Sequence, residues 1–215
     1  MSTIKNLFKG SLTIPNLLSV IRIILVPVFA YLFLNGHQIA AIVTLVVSGS
    51  TDLFDGKIAR RFNQVSELGK ILDPVADKIT QITIAVLLFI LFRDAESSLI
   101  NAFGWVFLVF LIKEAVMVVG GLVMLLFDIK PGAAEMPGKL ATVAFYCIMT
   151  LIIAFAPEIG VINSLWTMPE VLVGILVVVC ALLCIYAFLS YMPETFRQFK
   201  ERFGKEKKEE TVVKK

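Results

Sequence analysis

The sequence predicts an all-α membrane protein, six transmembrane helices preceded by a short amphipathic segment. Three observations predict it. Hydrophobic residues make up 58% of the 215 residues, against about 45–50% apolar residues in soluble domains. The excess is gathered into runs that approach or reach the roughly 20 apolar residues a helix needs to cross a bilayer. Segments of that length also argue against a barrel, whose strands are shorter and alternate.

The N-terminal stretch 1–12 sets Ile4, Leu7, Phe8 and Leu12 around Lys5 and Lys9, the pattern of a helix lying on a membrane surface. A frayed terminus is the plainer alternative. Thr13-Ile-Pro-Asn reads as a helix start, with Thr13 as cap and Pro15 in the first turn. The first apolar run continues past Pro27 without a small-x-small cleavage pattern, so it is expected to be retained as a span.

The spans are expected at about 16–34, 39–61, 74–92, 102–127, 138–156 and 169–190. Asn35-Gly36 parts the first from the second, and a loop at about 62–72 parts the second from the third. Asp94 to Ser98, the two Pro-Gly pairs after Lys130 and Met136, and the stretch from Pro157 to Pro169 part the others. The last span is expected to end at Met192-Pro193, giving one membrane domain over 1–192 and a basic tail over 193–215.

Lys and Arg fix the expected orientation. With the N-terminus inside, the inner segments carry nearly all the basic residues, and the outer loops hold only Arg93. Both termini are then cytoplasmic. The tail, with Arg197, Lys200, Arg202 and the lysines beyond, suits an anionic inner leaflet. No nucleic-acid-binding fold or motif accompanies it, so no nucleic-acid partner is expected. Cys147, Cys180 and Cys184 all fall in apolar runs without further soft ligands nearby, and read as packing residues.

Four carboxylates stand out against this apolar background. Asp52 and Asp55 sit at i and i+3, with Gly56 and Ala59 on the same helical face; Asp73 and Asp77 sit at i and i+4 on the next helix. A short connection lets the two acidic faces meet. Ionisable groups beside membrane helices are costly and mark function. Four clustered carboxylates repel unless protonated or bridged by cations, and hard oxygen donors suit Mg²⁺, Mn²⁺ or Ca²⁺. Gly56 and Ala59 leave room for a bulky ligand to approach the backbone, and Arg60 could neutralise phosphate charge.

Asp52-x2-Asp55-Gly56-x2-Ala59-Arg60-x8-Gly69-x3-Asp73-x3-Asp77 resembles the signature of the CDP-alcohol phosphatidyltransferase family. The resemblance implies a six-helix homodimer with a site open to the cytoplasm and the bilayer. It implies Asp52, Asp55 and Asp73 as ligands of two Mg²⁺ or Mn²⁺ ions, and Asp77 as ligand, general base or both. Gly56, Ala59 and Gly69 would line the CDP-lipid pocket with Arg60 near it.

The neighbourhood is similar to the bacterial phosphatidylglycerophosphate synthases of that family. Ile14-Pro-Asn-Leu-Leu with Arg22 resembles their opening, which places Asn16 in the CDP-lipid site; the stretches Gly69 to Lys78 and Gly138 to Thr142 resemble theirs too. The implied substrates are CDP-diacylglycerol and glycerol 3-phosphate, in the bacterial inner membrane. Lys113, Lys130 and Lys139 are the candidates for the acceptor phosphate. Lys113 could instead pair internally with a carboxylate, and Lys130 and Lys139 could serve topology alone. Where those synthases commonly have Arg-Glu in the fourth span and a further Arg, this chain has Lys113-Glu114 and no arginine beyond. That departure keeps a cardiolipin-forming relative, with phosphatidylglycerol as acceptor, as the alternative. An ion-coupled transporter is the alternative outside enzymes, but no internal repeat supports it.

Overall fold

The computed structural model describes residues 13–62, 66, 68–126 and 136–213, with backbone alone for 38, 52–60, 70–71, 125–126 and 201–213. The expected amphipathic segment over 1–12 lies outside the described residues. Among the described residues six helices follow one another: α1 Ile14–Leu34, α2 Gln38–Arg61, α3 Gly69–Asp94, α4 Ser98–Leu126, α5 Met136–Phe155 and α6 Glu170–Val213. Among the described residues there is no strand.

The helix ends follow local chemistry. Thr13 is extended (φ −119°, ψ 154°) and its hydroxyl accepts the N–H of Asn16 at 3.4 Å, with proline in the first turn. At the other end of α1, Gly36 takes φ 77°. The His37 N–H bonds Leu32 O at 2.9 Å and the Gly36 N–H bonds Phe33 O at 3.3 Å, a Schellman closure that absorbs the orphan carbonyls.

Among the described residues five helices are long and apolar enough to cross a membrane, and the chain is a multi-pass membrane protein. The expected second span is α2, which is continuous over 24 residues and carries the acidic signature in its second half. The last helix differs from expectation: it does not stop at Pro193 but continues to Val213, 44 residues in all from Glu170. Proline removes one N–H and therefore one i→i−4 bond. Beyond it, Glu194 accepts from Arg197 at 3.0 Å and from Gln198 at 3.1 Å, polar contacts about one turn apart that support the helix.

In the packing, α1 lies against α2 and α3, α3 against α4, α4 and α5 against α6, and α2 touches α5. The core holds Phe29, Leu45, Leu88, Phe92, Phe107 and Phe145. The rings of Phe92 and Phe107 meet edge-on at 5.0 Å, which ties α3 to α4. Large apolar side chains such as Leu17, Ile24, Val43, Ile90 and Ile112 stay exposed on the outer faces, as a bilayer solvent requires. Arg93 at the end of α3 stacks on Trp105 at 4.7 Å, and Glu158 accepts the N–H groups of Glu96 and Ser97 ahead of α4. Asp73 precedes Arg93 by 20 residues of helix, about 30 Å at 1.5 Å per residue, so the acidic end and this basic end lie at opposite ends of the bundle.

Candidate functional site

The start of α3 is built by a clasp. The Asn16 amide donates to Ser66 Oγ at 2.8 Å, the Ser66 hydroxyl lies 3.0 Å from Asn16 Oδ1, and the Gly69 N–H donates to Ser66 Oγ at 2.9 Å. Leu68, the residue before the helix, has no side-chain cap, so Ser66 takes over one of the orphan N–H groups. A Cβ on Gly69 would lie 2.4 Å from Asn16 Oδ1 and 3.0 Å from Ser66 Oγ. Only glycine lets α1 and the start of α3 approach this closely. Asn16 and Gly69, both expected in the CDP-lipid site, are thus brought together, and each is seen holding the scaffold under the acidic residues.

One turn further, Asp73 Oδ1 stands 3.3 Å from Nη1 of Arg22, whose side chain is buried while the Asp73 side chain is 48% exposed. Asp77 stands one turn beyond Asp73. Its Oδ1 accepts the Tyr146 hydroxyl at 3.0 Å and its Oδ2 accepts the Gln81 amide at 2.9 Å. Both donors are neutral, and together they orient the carboxylate.

Asp73 and Asp77 open into a cavity of about 560 Å³ between α3, α4, α5 and α6. Lys78, Gln81, Lys113 and Lys139 share its wall with Met117, Val143, Phe145, Phe188 and Tyr191. Lys113 pairs internally with the carboxylate of Glu114 and also lines the cavity. Glu114 is 1% exposed and also takes Lys78 Nζ at 2.6 Å. Lys139 is exposed at the rim. Lys130 lies outside the described residues, as do the side chains of Asp52, Asp55, Gly56, Ala59 and Arg60, whose backbone is helical. Gly138 packs against Tyr191: a Cβ there would stand 2.0 Å from the phenol oxygen, so the glycine lets Tyr191 reach the wall. Cys180 and Cys184 are buried free thiols, in keeping with packing, and Cys184 forms part of the wall.

Among the described residues no three His, Cys, Asp or Glu side chains converge. The donors that are described nevertheless suit a hard divalent cation. Asp73 and Asp77 supply carboxylate oxygens one turn apart on the cavity wall. Carboxylate oxygens are the ligands such a cation prefers.

Lys78, Gln81, Tyr146 and Tyr191 escape the sequence reading. Gln81 carries a signal, since it follows Asp77 by one helical turn. Lys78 hides beside the signature as an ordinary basic flank. Tyr146 and Tyr191 sit in apolar runs, and only the packing of α5 and α6 against α3 and α4 brings them to the site.

The CDP-alcohol phosphatidyltransferase family model matches residues 12–185. The cardiolipin synthase (CMP-forming) of Streptomyces coelicolor is 36% identical over 137 residues, 61% of this chain and 60% of that protein. The CDP-diacylglycerol–glycerol-3-phosphate 3-phosphatidyltransferase of Aquifex aeolicus is 28% identical over 191 residues, 88% of this chain and 100% of that protein. The human cardiolipin synthase (CMP-forming) is 48% identical over 75 residues, 34% of this chain and 25% of that protein. The chain thus spans about three fifths of the length of its Mycobacterium and Streptomyces relatives. Members of the matched family depend on a divalent metal and join CDP-alcohols to alcohol acceptors in membranes. With the match running from residue 12 to residue 185, this chain belongs to the CDP-alcohol phosphatidyltransferase family.

Proposed function

We propose that the chain transfers the phosphatidyl group of CDP-diacylglycerol to glycerol 3-phosphate, releasing CMP and forming phosphatidylglycerophosphate. The observation that carries this reading is one cavity lined by both Asp73 and Asp77 and by three lysines, Lys78, Lys113 and Lys139. Acids that suit a metal stand beside cations that suit a phosphate.

In this reading the acceptor hydroxyl attacks the phosphorus that bears the diacylglycerol. A new O–P bond forms, the bond to CMP breaks, and the hydroxyl proton passes to Asp77. Tyr146 and Gln81 hold that carboxylate in place. Asp52, Asp55, Asp73 and Asp77 hold two Mg²⁺ or Mn²⁺ ions, which supply charge stabilisation for the phosphoryl oxygens and the leaving group when bound. Gly56, Ala59 and Arg60 border the CDP moiety, with Asn16 and Gly69 shaping its floor. Lys113, Lys130 and Lys139 receive the acceptor phosphate.

The protein works as a homodimer in a bacterial inner membrane, with the acidic end and both termini cytoplasmic and residues 193–215 along the anionic leaflet. A second reading, phosphatidylglycerol as acceptor, draws support from the apolar wall of the cavity, where Met117, Val143 and Phe188 suit a lipid-borne alcohol. Purified protein given CDP-diacylglycerol, Mg²⁺ and labelled glycerol 3-phosphate is expected to release CMP and to form a labelled lipid that carries two phosphate groups. Turnover with phosphatidylglycerol alone would replace the first reading with the second; no CMP with any alcohol would end both.

A further inference from the structure

Glu114 lies within the membrane-spanning part of α4 and is 1% exposed. An ionised carboxylate there is costly unless cations hold it. One cation would suffice for charge, yet two are present. Lys78 Nζ stands 2.6 Å from one oxygen and Lys113 Nζ contacts the other. The trio therefore keeps one net positive charge. Both lysines line the cavity, and their side chains are 24% and 12% exposed.

Each ammonium has three N–H donors, and Glu114 holds both as ion pairs rather than through well-aligned hydrogen bonds. Two cations gripped by opposite oxygens of a single carboxylate stand close enough for one phosphate to bridge them. Lys78 also follows Asp77 directly on α3, so this pair of cations adjoins the carboxylate that receives the proton in the transferase reading. Lysine is a flexible point charge and carries substantial rotamer entropy; a fixed buried anion between two lysines removes that freedom before the ligand arrives.

We propose that Glu114 is a positioning residue that holds Lys78 and Lys113 as a two-pronged seat for the phosphate of the acceptor alcohol. This rests on the transferase reading and deepens it, since Lys78 becomes part of acceptor recognition and Glu114 its organiser. The ligand chemistry is a phosphate ester with a free hydroxyl, met by glycerol 3-phosphate in solution and by phosphatidylglycerol in the bilayer.

The test measures KM for the acceptor and for CDP-diacylglycerol separately, by CMP release, with each acceptor in turn. Glu114→Gln and Lys113→Met are each expected to raise the acceptor KM about tenfold or more, the scale of a lost charge-assisted hydrogen bond. The KM for CDP-diacylglycerol stays within about twofold, which a general loss of structure would not allow. Glu114→Asp, which keeps the charge, recovers part of the loss. The acceptor whose KM moves identifies the source of the phosphate. An acceptor KM that is unchanged or lowered in Glu114→Gln overturns the proposal. Should that variant fail to fold, Lys113→Met decides, because Glu114 keeps Lys78; an unchanged acceptor KM there overturns it equally. If the wild-type protein releases no CMP with either acceptor, the transferase reading falls by itself. The seat is then read from binding of inorganic phosphate to the purified protein: weakening by Lys113→Met supports it, and equal binding overturns it.

Discussion

The hydroxyl of Tyr146, in the middle of α5, donates to Oδ1 of Asp77, on α3, at 3.0 Å. The two residues are 69 positions apart, so the contact reports how the two helices are set against each other. It also fixes which way the carboxylate faces, because Gln81 holds the second oxygen from one turn along the same helix. A carboxylate held at both oxygens is already oriented when a substrate arrives, and that orientation is what a proton acceptor or a metal ligand needs.

Tyr146→Phe is expected to lower kcat about tenfold while leaving both KM values within about twofold. The exchange removes one hydrogen bond to a charged group, worth about 1.5–3 kcal/mol, with almost no change of shape. Steady-state CMP release reads the outcome. An unchanged kcat would show that the Asp77 orientation does not depend on this hydroxyl.

Removal of divalent metal by a chelator is expected to stop turnover, and Mg²⁺ or Mn²⁺ is expected to restore it. Asp73→Asn should abolish turnover at all metal concentrations while the helical circular dichroism holds, with a lowered melting temperature in detergent because buried Arg22 loses a charged partner. Asn keeps the volume and loses the charge. Normal activity in this variant would exclude Asp73 from the metal set.

Gly69→Ala is expected to destabilise the protein by about 1–3 kcal/mol, the usual range for an overpacked site. The added carbon would meet Asn16 Oδ1 at 2.4 Å. Asn16→Ser in the same chain should restore part of the melting temperature by shortening the obstructing side chain. If Gly69→Ala melts normally and instead raises the KM for CDP-diacylglycerol, the glycine faces the nucleotide and the clasp is secondary.

The sequence carries the helices plainly, since each apolar run is closed by residues that cannot continue it. Asn35-Gly36 supplies the positive φ of the Schellman closure, and Thr13 caps as its type and place predict. The carboxylates are legible for a similar reason: the i, i+3 and i, i+4 spacings are local, and charge is conspicuous where the solvent is lipid. The partners of those carboxylates are much less legible. The link from Lys78 to Glu114 spans two helices, and that from Tyr146 to Asp77 depends on how α5 leans on α3. Neither leaves a periodic trace. Pro193 misleads in the opposite direction, since it is a strong local stop signal that costs only one backbone bond in a helix otherwise able to continue.

The thirteen residues between the start of α2 at Gln38 and its first aspartate have their own consequence for the surrounding bilayer. Thirteen residues rise about 20 Å at 1.5 Å each, whereas the hydrocarbon layer is about 30 Å thick. The helix therefore reaches its first aspartate, Asp52, about 10 Å before hydrocarbon would normally end. Such hydrophobic mismatch is met by local thinning of the leaflet or by water drawn in beside the helix. A dimple of this kind would lower the lipid headgroups to the depth of the acids, so that a diacylglycerol-linked phosphate reaches them without its acyl chains leaving the membrane.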